Sequence, residues 1–324
     1  PLIASKVGDA EKEERDAIFR ALRRLTRVKN VRCARNANAF MQRLKSQSQR
    51  RASGRRGMLK VEGSKLAYRI AGSGPVLVAI SDMHSGNMFQ ASLDRLAGRY
   101  RVVTYDGRGR GSSAFGTATH SLKVELDDID AIRSALKAEK VTLLGHDNGG
   151  LLALAYARQY PEHVSGVILV STPATVVRYG TSNQAKRMIP EEYLGDISEL
   201  DAKHAWFSSE AWLAYRHVAL EPGYVYDPKA APLLSLFPMA PVARRAVERS
   251  LGGFDVNKTL SRLSIKVVSI YGERAAVSDG DRRVYEKAPN SSCITIPKTG
   301  HYPHLERPEQ FAEAVLQATA RLYR

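Results

Sequence analysis

A run of glycines around one aspartate constrains the fold of this chain more than any other feature. Residues 141–144 are apolar, and residues 145–150 read Gly-His-Asp-Asn-Gly-Gly. This order predicts a buried strand that turns sharply into a helix, because glycine fits where a tight turn brings one stretch of backbone close to another. Asp147 stands between Gly145 and Gly149 in the middle of that turn. We therefore expect a carboxylate at the end of a strand, where it faces a pocket.

Short apolar segments alternate with segments of helical periodicity through most of the chain. Predicted strands cover residues 58–61, 65–71, 76–80, 101–105, 141–144, 164–170, 265–271 and 293–296, and predicted helices cover residues 122–136, 150–160 and 308–323. This alternation is typical of βαβ units, and wholly apolar strands indicate a sheet that is buried on both faces. The predicted fold class is α/β, with a mostly parallel central sheet and helices on both of its faces.

The alternation stops between residues 173 and 260, where aromatic residues are frequent among helical stretches. These aromatic residues include Tyr179, Tyr193, Trp206, Trp212, Tyr215, Tyr224, Tyr226 and Phe237. We interpret residues 173–260 as a helical cap inserted into one α/β core, which occupies residues 58–172 and 261–324. Aromatic side chains commonly line pockets for small, mostly apolar molecules. The residues predicted to contact such a substrate are Trp206, Trp212 and Tyr215.

The net charge of +16 belongs mostly to the start of the chain. Residues 1–57 contain 16 Lys and Arg against 5 Asp and Glu, a net +11, whereas the other 267 residues contain 33 against 28, a net +5. Apolar residues recur there at helical spacing, which predicts a basic helical extension with a flexible linker at residues 47–57. This extension is a processed targeting segment, an arm that binds an anionic membrane or RNA, or an arm that packs on the body or on a second copy in a homo-oligomer. No nucleic-acid binding is expected of the core.

Composition excludes several other classes of protein for this chain. With 324 residues, 44% of them hydrophobic, the chain can bury a large core. No apolar run reaches the roughly 18 residues that a membrane-spanning helix needs, and no secretory signal is recognised at the N-terminus. Two cysteines, Cys33 and Cys293, indicate neither a disulfide framework nor a cysteine metal site. We expect a cytoplasmic protein that uses no metal and no organic cofactor.

Three segments in this order and spacing carry a resemblance to a known family. Residues 105–113 read Tyr-Asp-Gly-Arg-Gly-Arg-Gly-Ser-Ser, residues 145–150 form the glycine-bounded turn, and residues 300–308 read Gly-His-Tyr-Pro-His-Leu-Glu-Arg-Pro. With them, residues 58–324 resemble the α/β-hydrolase superfamily, in a form with a helical cap after the sixth strand. The resemblance implies that the turn is a nucleophile elbow, the Gly-x-Ser-x-Gly motif of that superfamily, with aspartate in place of serine.

The resemblance also implies a nucleophile at Asp147 and a general base at His301. The family places an acid that orients the base at a position that Ala275 occupies in this chain. Alanine cannot orient an imidazole, so another acid of the same loop is needed for that role. The acids that this loop offers are Glu273, Asp279 and Asp281.

An oxyanion hole needs backbone N–H donors where negative charge develops. The resemblance implies that one donor is the N–H of Asn148 and the other the N–H of Met83. Residues 80–86 read Ile-Ser-Asp-Met-His-Ser-Gly, however, where the family carries a His-Gly pattern. The carboxylate of Asp82 either reshapes this part of the site or lies in solvent.

Aspartate at the elbow is similar to the epoxide hydrolase and haloalkane dehalogenase branches, although those branches usually carry tryptophan where Asn148 stands. The resemblance implies hydrolysis of a small, mostly apolar substrate through an Asp147 ester. Two alternatives stay open. One is a scaffold related to serine esterases, lactonases or peptidases, with Asp147 in place of serine and Ala275 in place of aspartate, which is inactive or binds a ligand. The other is a lyase or isomerase without a cofactor that uses Asp147 and His301 as acid and base.

Overall fold

Eight strands form one sheet in the part of the chain that the computed structural model describes, which comprises residues 54–81, 84–117, 120–176, 224–227, 230, 234 and 240–323. The strands are β1 (Arg55–Val61), β2 (Ser64–Ala71), β3 (Val76–Ser81), β4 (Arg101–Tyr105), β5 (Val141–His146), β6 (Val164–Val170), β7 (Val267–Gly272) and β8 (Ser291–Ile296). Their order is β1-β2-β4-β3-β5-β6-β7-β8. The pairs β1/β2 and β2/β4 are antiparallel and the other pairs are parallel. The predicted α/β class with a mostly parallel sheet is confirmed.

Helices cover both faces of this sheet. They are α1 (Gln90–Leu93), α2 (Leu122–Ala135), α3 (Asn148–Gln159), α4 (Pro241–Ser250), α5 (Val256–Leu260), α6 (Asp279–Lys287), α7 (Pro303–Glu306) and α8 (Pro308–Leu322). Alternate residues of one strand point to opposite faces. Thus Val78 of β3 lies in a core cluster with residues of α2 and α3, whereas Leu77 lies in a second cluster with residues of α8.

Side chains at the helix ends explain where several helices begin. Ser121 accepts a hydrogen bond from the N–H of Val124 at the start of α2, and Asp255 accepts one from the N–H of Lys258 at the start of α5. Such caps satisfy backbone donors that have no partner inside the helix. Among the described residues, no helix combines the length and the hydropathy that a membrane span requires.

Several predicted boundaries differ from the structure by a few residues, and two of these differences have a clear physical reason. The predicted linker runs to residue 57, but β1 already begins at Arg55, which pairs with Ile70. The strand β5 continues to His146 because the backbone of Gly145 still pairs with Leu169 of β6. In both cases backbone hydrogen bonds extend the strand through residues whose side chains give no strand signal.

The parallel strands end at one edge of the sheet, and the predicted site residues follow those ends. Asp147 comes directly after β5, and Ala275 is in the turn after β7. In open α/β sheets, ligands bind outside the carboxyl ends of the strands. The predicted basic helices, Asp82, Met83 and the three residues predicted to contact substrate, Trp206, Trp212 and Tyr215, lie outside the described residues.

Candidate active site

Asp147 occupies a strained turn between β5 and α3. Its backbone has φ 53° and ψ −129°, which a residue with a Cβ rarely adopts. A Cβ on Gly145 would overlap the carbonyl group of Gly149, and a Cβ on Gly149 would press on the carbonyl oxygen of Ile80. The two glycines therefore permit the close approach of strand and helix that presents the Asp147 side chain.

The Asp147 carboxylate is buried between two basic side chains. Its Oδ2 atom lies 3.3 Å from Nη1 of Arg244 and 3.6 Å from Nε2 of His301, and the residue is 5% exposed. Burial alone would raise the pKa of Asp147, but the positive charge of Arg244, together with His301, outweighs burial and holds this pKa well below its ordinary value. The carboxylate is therefore ionised at neutral pH.

Arg244 is a site residue that the sequence reasoning missed. It lies on α4, is 4% exposed, and its Nε donates a 2.6 Å hydrogen bond to Glu248 one turn later on the same helix. A buried guanidinium therefore binds two carboxylates, those of Asp147 and Glu248. The signal in the sequence is weak: Arg244 falls within the apolar stripe of α4 that Ala243 and Val247 define, where an arginine needs a buried partner.

His301 is held by its backbone rather than by its ring. Its N–H donates to the carbonyl oxygen of Tyr224 at 2.7 Å, and the neighbouring N–H of Gly300 donates to Oε1 of Glu306 at 2.7 Å. Oε2 of Glu306 accepts a 2.7 Å hydrogen bond from the N–H of Tyr226. Glu306 therefore ties the loop that carries His301 to the segment that contains Tyr226, and burial raises the pKa of this carboxyl group to about 7.

The structure brings none of the predicted acids to His301. The carboxylate of Glu273 accepts a 2.9 Å hydrogen bond from the N–H of Lys298, and the carboxylate of Asp281 accepts one from the N–H of Ala174. Asp279 is exposed in the first turn of α6. These side chains are occupied by backbone groups or by solvent, which the sequence pattern alone does not reveal.

The position of the orienting acid is filled by a small apolar side chain. Ala275 is 1% exposed and lies in the turn after β7. The same turn contacts the loop of His301, because the N–H of Arg274 donates to the carbonyl oxygen of Thr299. Within the described residues, Nδ1 of His301 has no hydrogen-bond partner. The ring therefore lies beside Asp147 through Nε2, and the described residues supply no carboxylate to Nδ1.

Only one of the two predicted oxyanion-hole donors lies within the described residues. Asn148 is the first residue of α3 and is fully buried. Its side-chain Oδ1 and Nδ2 atoms have no hydrogen-bond partner among the described residues. The role of its backbone N–H as one donor stays a prediction, and the second predicted donor, Met83, lies outside the described residues.

Two further histidines support the site from within the core. Nε2 of His146 lies 3.0 Å from the carbonyl oxygen of His301, and the rings of His146 and His304 are 4.9 Å apart. Burial lowers the pKa of His146 to about 3 and holds the pKa of His304 well below its ordinary value, so both rings are neutral. No group of three or more His, Cys, Asp or Glu side chains in the described part of the chain could hold a metal ion.

Comparison with known proteins agrees with this architecture. A family model for the alpha/beta hydrolase fold matches residues 70–204. The AB hydrolase superfamily protein YclE of Bacillus subtilis (strain 168) is 26% identical over 287 residues, which cover 80% of this chain and 97% of that protein. The 3-oxoadipate enol-lactonase 2 of Acinetobacter baylyi is 25% identical over 237 residues, which cover 71% of this chain and 82% of that protein.

Solved structures share the fold. An alpha/beta fold family hydrolase from Bacillus anthracis str. Sterne superposes with a TM-score of 0.65 at 20% sequence identity. The superposition covers 82% of this chain and 99% of the other. A likeness at this level of identity concerns the fold alone.

Proposed function

This chain belongs to the α/β-hydrolase superfamily and is a hydrolase of that superfamily, and we propose that it cleaves its substrate in two steps through an ester on Asp147. In the first step, a carboxylate oxygen of Asp147 attacks an sp3 carbon, and the electron pair of the broken bond leaves with a halide or stays on the ring oxygen of an opened epoxide, which takes a proton from water. In the second step, His301 takes a proton from water, and the resulting hydroxide attacks the carbonyl carbon of the ester. The ester then collapses, the released alkoxide takes the proton back from His301 and leaves as an alcohol, and Asp147 keeps one oxygen from water.

The ionised state of Asp147 carries this proposal. A nucleophile must be in its basic form, and the low pKa of Asp147 keeps it so at neutral pH. The 3.6 Å separation between Oδ2 of Asp147 and Nε2 of His301 leaves the histidine next to the ester that would form. A general base needs to reach its proton directly or through one water.

The segment between β6 and β7 supports the proposal of a cap over the site. Arg244 belongs to that segment and reaches Asp147 across the edge of the sheet. We propose that residues 173–260 form a helical cap above Asp147 and that a small, mostly apolar substrate binds beneath it. We also propose that the basic extension at residues 1–57 contacts the body or a second copy of the chain.

A single turnover in ¹⁸O-labelled water tests the ester. Intact protein in excess over styrene oxide, or over an alkyl halide, should place the label in the tryptic peptide of residues 141–158, which contains Asp147. The product of this first turnover should be unlabelled, because its new oxygen comes from the carboxylate. Label that enters the product directly, or no turnover with any substrate of a broad epoxide and halide panel, would rule out this mechanism.

A variant that lacks the His301 base tests the second step. The change His301→Gln keeps a polar side chain of similar reach but no base, so the second step should slow. The Asp147 ester should then accumulate and be visible as a mass increase on the same peptide. An ester that turns over equally fast in His301→Gln would assign the base to another residue.

A second candidate function is supported by the region around His301. Among the described residues no carboxylate contacts Nδ1 of His301, and the guanidinium of Arg244 withdraws charge from Asp147. Both features suit a scaffold related to ester or lactone hydrolases that binds a ligand without turnover. The double change Asp147→Ser with Ala275→Asp tests it: strong hydrolysis of p-nitrophenyl acetate by the variant and none by the natural chain favours the binding scaffold.

A further inference from the structure

The side chain of Asn148, directly beside Asp147, lacks hydrogen-bond partners among the described residues. Both Oδ1 and Nδ2 are buried, the residue is 0% exposed, and neither atom is paired within the described residues. A buried carboxamide without partners is costly, and native structures rarely keep one without a reason. The residue is next to Asp147, so the reason is expected to be found in the active site.

Other unpaired buried polar atoms belong to residues near Asp147. Oγ of Ser171 is buried without a partner among the described residues, as is Nδ1 of His301. Ser171 directly follows Val170, whose carbonyl oxygen accepts the N–H of Asp147 at 3.0 Å. Asn148 and Ser171 therefore adjoin the backbone of Asp147, and His301 adjoins its carboxylate, so one molecule bound there can satisfy several of these groups at once.

We propose that the Asn148 side chain binds a neutral carboxamide-type group of the substrate, in which a carbonyl oxygen and an N–H stand side by side. Nδ2 would donate to that carbonyl oxygen and Oδ1 would accept from that N–H. A carboxylate or a ketone could pair only with Nδ2 and would leave Oδ1 unsatisfied. This inference names a substrate class for the site described under Proposed function and rests on Asp147 being the place where substrate binds.

The charges around Asp147 point to the same class. Arg244 is already bound by the carboxylates of Asp147 and Glu248. An anionic substrate would compete with both carboxylates for one guanidinium and would be repelled by them. A neutral group neither competes for the guanidinium nor is repelled by the carboxylates.

Binding of three matched ligands to the intact chain tests the proposal. Benzamide offers a carbonyl oxygen and an N–H, acetophenone offers the carbonyl oxygen alone, and benzoate offers an anion. Titration calorimetry should give benzamide a dissociation constant at least about tenfold below those of the other two. The changes Asn148→Leu and Asn148→Ala should reduce this preference to less than about twofold, and Asn257→Ala, at an exposed site, should leave it intact.

Thermal unfolding separates a binding role from a structural one. If the Asn148 amide has no partner until a ligand binds, replacing it by leucine should leave the melting temperature of the free protein unchanged or raise it. A lower melting temperature together with an unchanged ligand preference would mean that a structural water satisfies Asn148, and the proposal fails. If Asn148→Leu does not fold, the smaller change Asn148→Ala carries the comparison. Binding needs no turnover, so an absent Asp147 ester would overturn the proposed function and leave this test intact.

Discussion

Nη1 of Arg244 lies 3.3 Å from Oδ2 of Asp147, so the side chain at the elbow is the anionic half of a buried ion pair. The two residues are far apart in sequence, on α4 and at the end of β5. The ion pair keeps the carboxylate charged inside the protein, where burial alone would favour its protonated form. It also restrains that carboxylate as a nucleophile, because part of its charge is already neutralised.

Removing Arg244 should destabilise the protein at neutral pH. The change Arg244→Gln leaves the buried carboxylate of Asp147 and the partly buried carboxylate of Glu248 without their cation, and breaking a buried pair costs about 3–5 kcal/mol. The pKa of Asp147 is lowered in the folded state, so this stabilisation is present above about pH 4 and is lost as the pH falls further. Urea unfolding at pH 7 and pH 3 should show the larger loss at pH 7. The exposed Arg249→Gln on the same helix is the control, and equal losses in both variants would contradict the role of the pair.

Supplying the missing acid should activate the site. The change Ala275→Asp introduces a carboxylate in the turn that contacts the His301 loop, and the loss of an orienting carboxylate is worth up to about 10⁴ in turnover in comparable sites. We expect at least about a tenfold rise in kcat and a shift of the acidic limb of the pH profile to higher pH, because a carboxylate favours the imidazolium. Ala275→Asn, of the same shape without the charge, should give neither effect. Equal rates for the two variants would mean that residue 275 does not reach the ring.

The acids that the sequence offers for this role should prove dispensable. Glu273 binds the backbone of Lys298, and Asp279 faces solvent. Glu273→Gln and Asp279→Asn are therefore expected to change kcat/KM by less than about twofold and to leave the pH profile in place. A large fall in kcat with a displaced acidic limb in either variant would assign that residue to His301 after all.

Glu306 should make stability depend on pH in the direction opposite to an ordinary carboxylate. Its folded pKa is about 7 against an ordinary value of 4.5, so the folded state holds its proton where the unfolded state has lost it. Stability should therefore fall by about 3 kcal/mol as the pH rises from about 4.5 to about 7 and stay level above that range. Urea unfolding of Glu306→Gln should lack this slope, whereas the exposed Glu313→Gln should retain it. An identical slope in all three proteins would place the titrating group elsewhere.

The elbow glycine should tolerate no side chain. A methyl group at Gly145 would overlap the carbonyl of Gly149, and overpacking of this kind costs about 1–3 kcal/mol or more. Gly145→Ala is expected to lower the melting temperature by several degrees. Gly98 has open space around its Cβ position, so Gly98→Ala should leave the melting temperature nearly unchanged. Equal melting temperatures for the two variants would show that the turn can relax.

The sequence predicts the sheet better than it predicts the site. Residues 141–150 reveal their strand, turn and helix, because a buried strand needs apolar residues and a tight turn needs glycine. The substitution at Ala275 is visible for the same reason, since the motif fixes its position. Arg244 could not be assigned in advance, because its contact with Asp147 depends on how a helix from a long intervening segment lies over the sheet. Glu273 could be mistaken for the acid that orients His301, because the sequence does not show whether a carboxylate in a loop binds a backbone N–H or a histidine.

The conformational strain of the turn at Asp147 comes from its backbone, at φ 53° and ψ −129°. This strain does not depend on the reactive group at the end of the side chain. Strain in this region, of order 1–3 kcal/mol, arises from the backbone and the Cβ atom. Serine, cysteine and aspartate share that Cβ geometry and differ only beyond it. An exchange among them therefore changes the reaction without refolding the turn, whereas the glycines on either side cannot be exchanged. The residue at the elbow can therefore change while the turn around it stays the same, which explains how a carboxylate can stand where the Gly-x-Ser-x-Gly motif has a hydroxyl.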